Sequence, residues 1–258
     1  MDITVDVFAD TISLDQTEDL KTLQIATGSL IETEVAAVMG PAGYPAGHEQ
    51  MWVSIEWMRN TALGQGCDAS WAQHFDDMVD YAAANGWLNG DRTRIQVHLK
   101  RTLLPSTAVV VEAPGDRDDL WAAMIDLDAQ SASSDEFQGG EWLVGAPGEV
   151  GSQFLGNQKM GDREWQTTAE IELSNPNHLT QLFVQGGTDG PTSRWRFALS
   201  GAEEDQVLRY SCQMGPGHSP LTEYMLQHPE KAERILERRL SAHRSNMTNT
   251  ASDVAATG

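Results

Sequence analysis

Arg163-Glu-Trp-Gln-Thr-Thr-Ala-Glu-Ile-Glu-Leu173 is the stretch whose reading decides the fold. Trp165, Thr167, Ala169, Ile171 and Leu173 fall on one face, and Gln166, Thr168, Glu170 and Glu172 on the other. A period of two belongs to a strand half buried against something apolar. Ser193 to Leu199 repeats it, with Trp195, Phe197 and Leu199 opposed by Arg194 and Arg196. Gln206 to Met214 repeats it again, with Leu208, Tyr210, Cys212 and Met214 opposed by Arg209, Ser211 and Gln213. Turn-forming clusters separate such segments at 145–148, 161–162, 174–177, 186–190 and 201–205. Spacing this close leaves no room for crossover helices, so Glu141 to Met214 is predicted to be an antiparallel meander.

The chain around this meander is long enough, at 258 residues, for one large domain or two ordinary ones. It is 40% apolar and 21% charged, as expected of a globular protein, and has no apolar run of membrane-spanning length. The acidic opening Met1-Asp-Ile-Thr-Val-Asp6 lacks the basic-then-apolar pattern of a signal peptide, which points to the cytoplasm. Cys67 and Cys212 are too few for a disulfide framework and have no partners at metal-ligand spacing, so neither a metal nor a cofactor is expected. Net charge is −21, with −10 in residues 1–100, −12 in 101–228 and +1 in 229–258. A phosphate backbone is repelled by most of such a surface, which argues against nucleic acid as a partner.

Ahead of the meander, residues 1–35 read as one or two short strands, and Gly40 to Gly47 as a loop. His48 to Leu63 carries a helical stripe of Met51, Ile55, Met58 and Ala62. Asp68 is the natural cap of a second helix bearing Trp71, Phe75, Met78, Val79 and Ala82, closed by Asn85-Gly86. A short third helix is predicted from Asp91 through Ile95, Val97 and Leu99. Residues 1–104 therefore read as a strand pair plus a small, mainly helical unit. Thr107 to Glu112 is a strand, Asp116 caps a helix through Leu120, Trp121, Met124 and Ile125, and Ser131 to Gly140 is a polar segment. After the meander comes a short helix at Leu221 to Gln227, then a long helix opened by Pro229 and running to about Thr250. Residues 251–258 read as a flexible tail.

Certain residues carry a family likeness across 106–250. They are Pro114 and Trp121 after the opening strand, Val150-Gly-Ser-Gln-Phe-Leu-Gly-Asn157, Trp165-Gln-Thr-Thr168 and Trp195-Arg-Phe-Ala-Leu199. With them goes the ending Pro229-Glu-Lys-Ala-Glu-Arg-Ile-Leu-Glu-Arg-Arg-Leu-Ser-Ala-His-Arg-Ser-Asn-Met247. This span resembles the SRPBCC (START-like) superfamily, which includes polyketide cyclase/dehydrases, in its actinobacterial form. The resemblance implies an α+β helix-grip fold, a curved antiparallel sheet around a long C-terminal helix, in a domain of residues 105–250. It further implies an internal cavity that binds a hydrophobic small molecule, in one version as a polyketide cyclase or dehydratase. The ligand pairs of Rieske iron–sulfur oxygenases have no counterpart among two cysteines and seven histidines. The alternative is a non-enzymatic stress or protein-interaction module with a vestigial cavity.

Trp165, Trp195, Tyr210 and Met214 are the candidates for contact with a flat apolar ligand. Asn157 is a candidate for polarising a carbonyl, whereas parity puts Arg209 on the outer face. His218, in Gly215-Pro-Gly-His-Ser-Pro220, is the candidate catalyst, since a histidine at a cavity mouth transfers protons near neutral pH. Asp116, Asp118, Asp119, Asp126 and Asp128 lack calcium-loop spacing and read as a solvated helix face. The basic cluster Arg234, Arg238, Arg239 and Arg244 of the C-terminal helix is a place for an acidic carrier or protein partner, although interleaved Glu230, Glu233 and Glu237 favour pairs within the helix.

Overall fold

Two separate sheets organise the chain, one of six strands and one of seven. The computed structural model describes residues 1–175, 179–184, 189–202 and 205–257, with only the backbone path for 179–183. The turns expected at 174–177, 186–190 and 201–205 fall partly outside this range, and His178 lies wholly outside it. The division into units falls at Met1–Pro105 and Ser106–Gly258.

The first unit is built on β1 (Asp2–Asp6), β2 (Thr11–Asp15), β3 (Gln24–Thr27), β4 (Gly43–Gly47), β5 (Gln50–Ser54) and β6 (Arg94–Arg101), with α1 (Glu32–Met39), α2 (Ile55–Gly64) and α3 (Ala69–Ala84). Its strand order is β2-β1-β3-β6-β5-β4, with β3 parallel to both β1 and β6. The expected strand pair, β1 and β2, is thus the edge of a six-stranded sheet, and the unit is not mainly helical.

Two segments read as helix are strands, for one physical reason. Met51 and Val53 alternate by two and pair across β5 and β6 with Val97 and Ile95, so each pair buries its side chains on one face. The helix begins only at Ile55, where the Ser54 hydroxyl accepts from the Trp57 N–H. The loop predicted at Gly40–Gly47 is a 3-10 turn at Gly40–Ala42 followed by β4. Asp68 does cap α3, its carboxylate accepting from the Trp71 N–H at 2.9 Å.

The second unit opens with β7 (Ser106–Glu112), then α4 (Arg117–Ile125) and α5 (Leu127–Ser131). The meander follows as β8 (Phe137–Val144), β9 (Gln153–Met160), β10 (Arg163–Asn175), β11 (Leu179–Val184), β12 (Ser193–Ser200) and β13 (Val207–Met214). Asp116 and Asp126 are the helix caps of α4 and α5, their carboxylates accepting from backbone N–H groups of the first turn. Strand order is β7-β13-β12-β11-β10-β9-β8, antiparallel throughout, so α4 and α5 carry the chain from one edge strand to the other. α6 (Pro220–Gln227) and a 3-10 turn at Pro229–Lys231 lead into α7 (Ala232–Thr257).

In register, Val109 faces Tyr210 and Tyr210 faces Phe197; Leu208 likewise sits between Val111 and Leu199. This shared face packs with Leu120 and Met124 of α4 and with Ala251 and Val254 of α7 into one core. Of the tail expected at 251–258, the described residues 251–257 are the last turns of α7. Ala251 and Val254 are fully buried, because small side chains at this spacing form a narrow apolar stripe that lets the helix sit close. A bulge in β10 between Ile171 and Leu173 breaks the alternation, so Ile171 is buried while Leu173, expected on the same face, is 40% exposed.

Candidate functional site

Three elements converge under α7. β12 presents Trp195 and β13 presents Tyr210 and Cys212, while Arg239, His243 and Met247 of α7 follow one another at intervals of four residues and so share a stripe. Tyr210 stacks on Phe197 with ring centroids 3.9 Å apart and lies 5.8 Å from Trp195. The Trp195 ring in turn meets His243 edge-on at 4.9 Å. Arg239 reaches Glu136, just before β8, with two parallel hydrogen bonds of 2.8 and 2.6 Å. One turn later, Arg244 donates to the Thr107 hydroxyl at 3.2 Å.

The electrostatics of this cluster favour neutral groups. Burial pushes the Tyr210 hydroxyl far up, reinforced by Cys212 and Glu136. Burial likewise pushes the Cys212 thiol up, against the pull of Arg239. Burial holds His243 well below the ordinary histidine value, with the Arg239 charge adding to the effect. At neutral pH the three are a phenol, a thiol and an uncharged imidazole. They can donate or accept hydrogen bonds, but none is poised as an anionic base or nucleophile.

Beside the cluster, on the same concave face, lies a cavity of about 10 Å³ walled by Met124, Leu127, Trp142, Phe154 and Trp195 among others. That is room for about one water molecule. Trp142 and Phe137 both meet Phe154 edge-on, at 5.3 and 6.4 Å. The one polar side chain in the wall is Gln130, whose amide donates to the Met124 carbonyl at 2.8 Å.

Of the candidates read from sequence, Trp195 and Tyr210 are brought together here. Met214 sits at the far end of β13, opposite Ser193, and is not in the cavity wall. Trp165 lies near the β9–β10 turn under the Arg163 guanidinium, 5.3 Å away, also outside the wall. Asn157 is exposed on the other face of β9, accepting from the Gln166 amide at 2.9 Å, so it does not face the cavity. Phe154 and Gly156 occupy the inward positions of that strand. Arg209 points away from Tyr210, as parity requires, and is buried there. His218 is 54% exposed, with Nδ1 2.6 Å from Asp189 Oδ2, and takes no part in the wall. The basic cluster divides: Arg234 and Arg238 are exposed, while Arg239 and Arg244 turn toward the sheet. Among the described residues no group of three or more His, Cys, Asp or Glu is placed to hold a metal.

Glu136 and His243 are the members that the sequence does not single out, and Arg239 is read there only as part of the basic cluster. For Arg239 and His243 the signal is an arginine and a histidine inside the otherwise apolar stripe Ala232, Ile235, Leu236, Leu240 and Met247.

A seven-stranded antiparallel sheet, two short helices joining its edge strands and a long closing helix settle the architecture. The second unit has a helix-grip architecture. Solved structures similar to it include a Polyketide_cyc-like protein of Corynebacterium glutamicum, at 19% identity over 57% of this chain and 88% of that one, TM-score 0.42. Another is major latex-like protein 151 of Panax ginseng, at 13% identity over 60% and 97%, TM-score 0.42. Ara h 8.0201 is a third, at 12% identity over 60% and 99%, TM-score 0.40. No family model and no curated protein matches the chain. No helix among the described residues is long and apolar enough to cross a membrane.

Proposed function

We propose that the helix-grip unit binds an apolar small molecule on the concave face of its sheet, where Trp142, Phe154 and Trp195 now meet. The observation that carries this reading is the cavity itself, walled almost wholly by apolar side chains. Pockets for small ligands enclose about 300–1,000 Å³. The present 10 Å³ therefore grows only if aromatic side chains rotate away or the α4–α5 segment lifts. Such side chains offer a ligand large contact area at little entropic cost, which offsets part of the rearrangement.

The test is tryptophan emission, because Trp142 and Trp195 are in the wall. Planar aromatic and fatty compounds are titrated to about 100 μM, above typical micromolar affinities. Saturable quenching that is reduced in Trp195→Phe supports the proposal. Unchanged emission across the panel overturns it and leaves the unit as a filled, non-enzymatic interaction module.

A second reading, ring closure or dehydration of a polyketide-like substrate, has one observation in its favour. Asp189 holds Nδ1 of His218, an arrangement that fixes the tautomer and leaves Nε2 to exchange protons.

A further inference from the structure

The turn that ends α3 places two large aromatic side chains side by side on the surface of the first unit. Gly86 takes φ +75°, a backbone conformation that favours glycine, and donates its N–H to the Ala83 carbonyl at 3.1 Å. The Trp87 N–H then donates to the Ala82 carbonyl at 2.9 Å, and the Trp87 carbonyl accepts from Gln96 of β6 at 2.9 Å. Held on both sides, Trp87 meets Tyr81 with ring centroids 5.8 Å apart and 70° between the ring planes. An apolar contact at these two positions commonly accompanies a turn of this type, and two leucines would supply it. Here both residues are aromatic, and they stay 63% and 45% exposed for Tyr81 and Trp87.

Elsewhere the chain sets its own cations against such rings. The Arg94 guanidinium lies 4.9 Å from the ring centre of the exposed Tyr44, and that of Arg163 lies 5.3 Å from the ring of Trp165. Among the described residues no lysine or arginine lies over Tyr81 or Trp87. The neighbouring charge on this face of α3 is negative, since the exposed Asp77 sits four residues before Tyr81. Residues 1–100 as a whole carry −10.

We infer that the corner between Tyr81 and Trp87 binds a quaternary ammonium group carried by a small molecule. The methyl groups of such a cation give both rings an apolar surface to touch, while its charge meets the negative ring faces and the Asp77 carboxylate. A primary ammonium is held by water through its three N–H donors and is the poorer match. An uncharged isostere lacks the electrostatic attraction altogether. This site lies in the first unit and is independent of the apolar binding proposed for the second.

The experiment titrates the full chain with choline, with its uncharged isostere 3,3-dimethylbutan-1-ol and with ethanolamine, each to about 10 mM, above a millimolar affinity. The reporter is the indole N–H resonance of Trp87, identified by its absence in Trp87→Leu. A salt concentration of about 150 mM screens the general attraction of an acidic chain for cations. Choline is expected to shift this resonance saturably and to bind at least about tenfold more tightly than either of the other two. In Tyr81→Leu, which keeps an apolar contact beside Trp87, choline should bind no better than ethanolamine, while the melting temperature stays within about 2 °C of the native chain. Choline binding no tighter than either competitor would overturn the inference. So would the absence of any shift, which would reduce the two rings to a structural contact. Unchanged choline affinity in Tyr81→Leu would overturn the assignment to a corner of two rings. The comparison among ligands on the native chain is decisive even if a variant fails to fold.

Discussion

His218 and Asp189 form the one candidate pair that solvent reaches freely, each being more than half exposed. Exposed pairs add little to stability. His218→Ala is therefore expected to leave both the melting temperature and the affinity for apolar ligands unchanged. If the unit turns a substrate over with His218 as proton carrier, the same variant lowers the rate by about 10²–10⁴-fold. Measuring both separates a binding protein from an enzyme. His243 makes a different prediction. Its folded-state affinity for a proton is depressed from 6.5, while the unfolded chain protonates normally. Stability is then fully present above about pH 6.5 and is lost as pH falls from there toward the folded value, by at most about 1.4 kcal/mol per pH unit. Denaturant titrations between pH 7 and pH 5 should show a shallower loss in His243→Gln than in the native chain. An identical slope would mean that His243 is not buried in its neutral form.

Among the elements, α7 carries the most testable energetics. Arg239 and Glu136 are 22% and 14% exposed, so neither charge is well solvated without the other. Removing one partner of such a pair leaves a desolvated charge and costs about 3 kcal/mol, less than for a fully buried pair. Glu136→Ala should therefore destabilise more than the double change Glu136→Leu with Arg239→Leu, as read by urea midpoints at constant slope. At the helix end, Val254 is fully buried against the α4 core, and Val254→Ala should cost about 2 kcal/mol through the lost methyls and the space left behind. Deletion of 251–258 should cost more; a neutral deletion would restore the view of a frayed tail.

These same elements show what the sequence could and could not reveal. The meander was legible because Trp195-Arg-Phe-Ala-Leu199 and its neighbours alternate without ambiguity. The tail was not, since Ala251, Val254 and Ala255 are apolar only by position, in a segment otherwise small and polar. Met51-Trp-Val-Ser-Ile55 fits both periods, and only its pairing with Ile95 and Val97 resolves it. In the site, aromatic residues on clean strands were readable, whereas Glu136 gains meaning only from Arg239, more than a hundred positions away. Asn157 falls outside the site because Phe154 takes the inner face of β9 and the alternation turns Asn157 outward.

At the scale of the whole molecule, the strands fall into two sheets, one within each unit, and each unit has buried apolar residues of its own. Ser106–Gly258 includes both edge strands, the helices that join them and the helix that closes over them. Every long-range pairing of the helix-grip fold is therefore satisfied within this span, as expected of a segment that folds by itself. Its size, somewhat over 150 residues, is ordinary for an independent domain. We predict that residues 104–258, expressed alone, give a soluble protein with a single cooperative denaturant transition. Near-ultraviolet circular dichroism should retain a tryptophan signal, since Trp195 is fixed between Tyr210 and His243. A product with intact far-ultraviolet but absent near-ultraviolet signal, and with dye-binding apolar surface, would be a molten state. That outcome would show that the first unit completes the core of the second, and the chain would then be one domain rather than two.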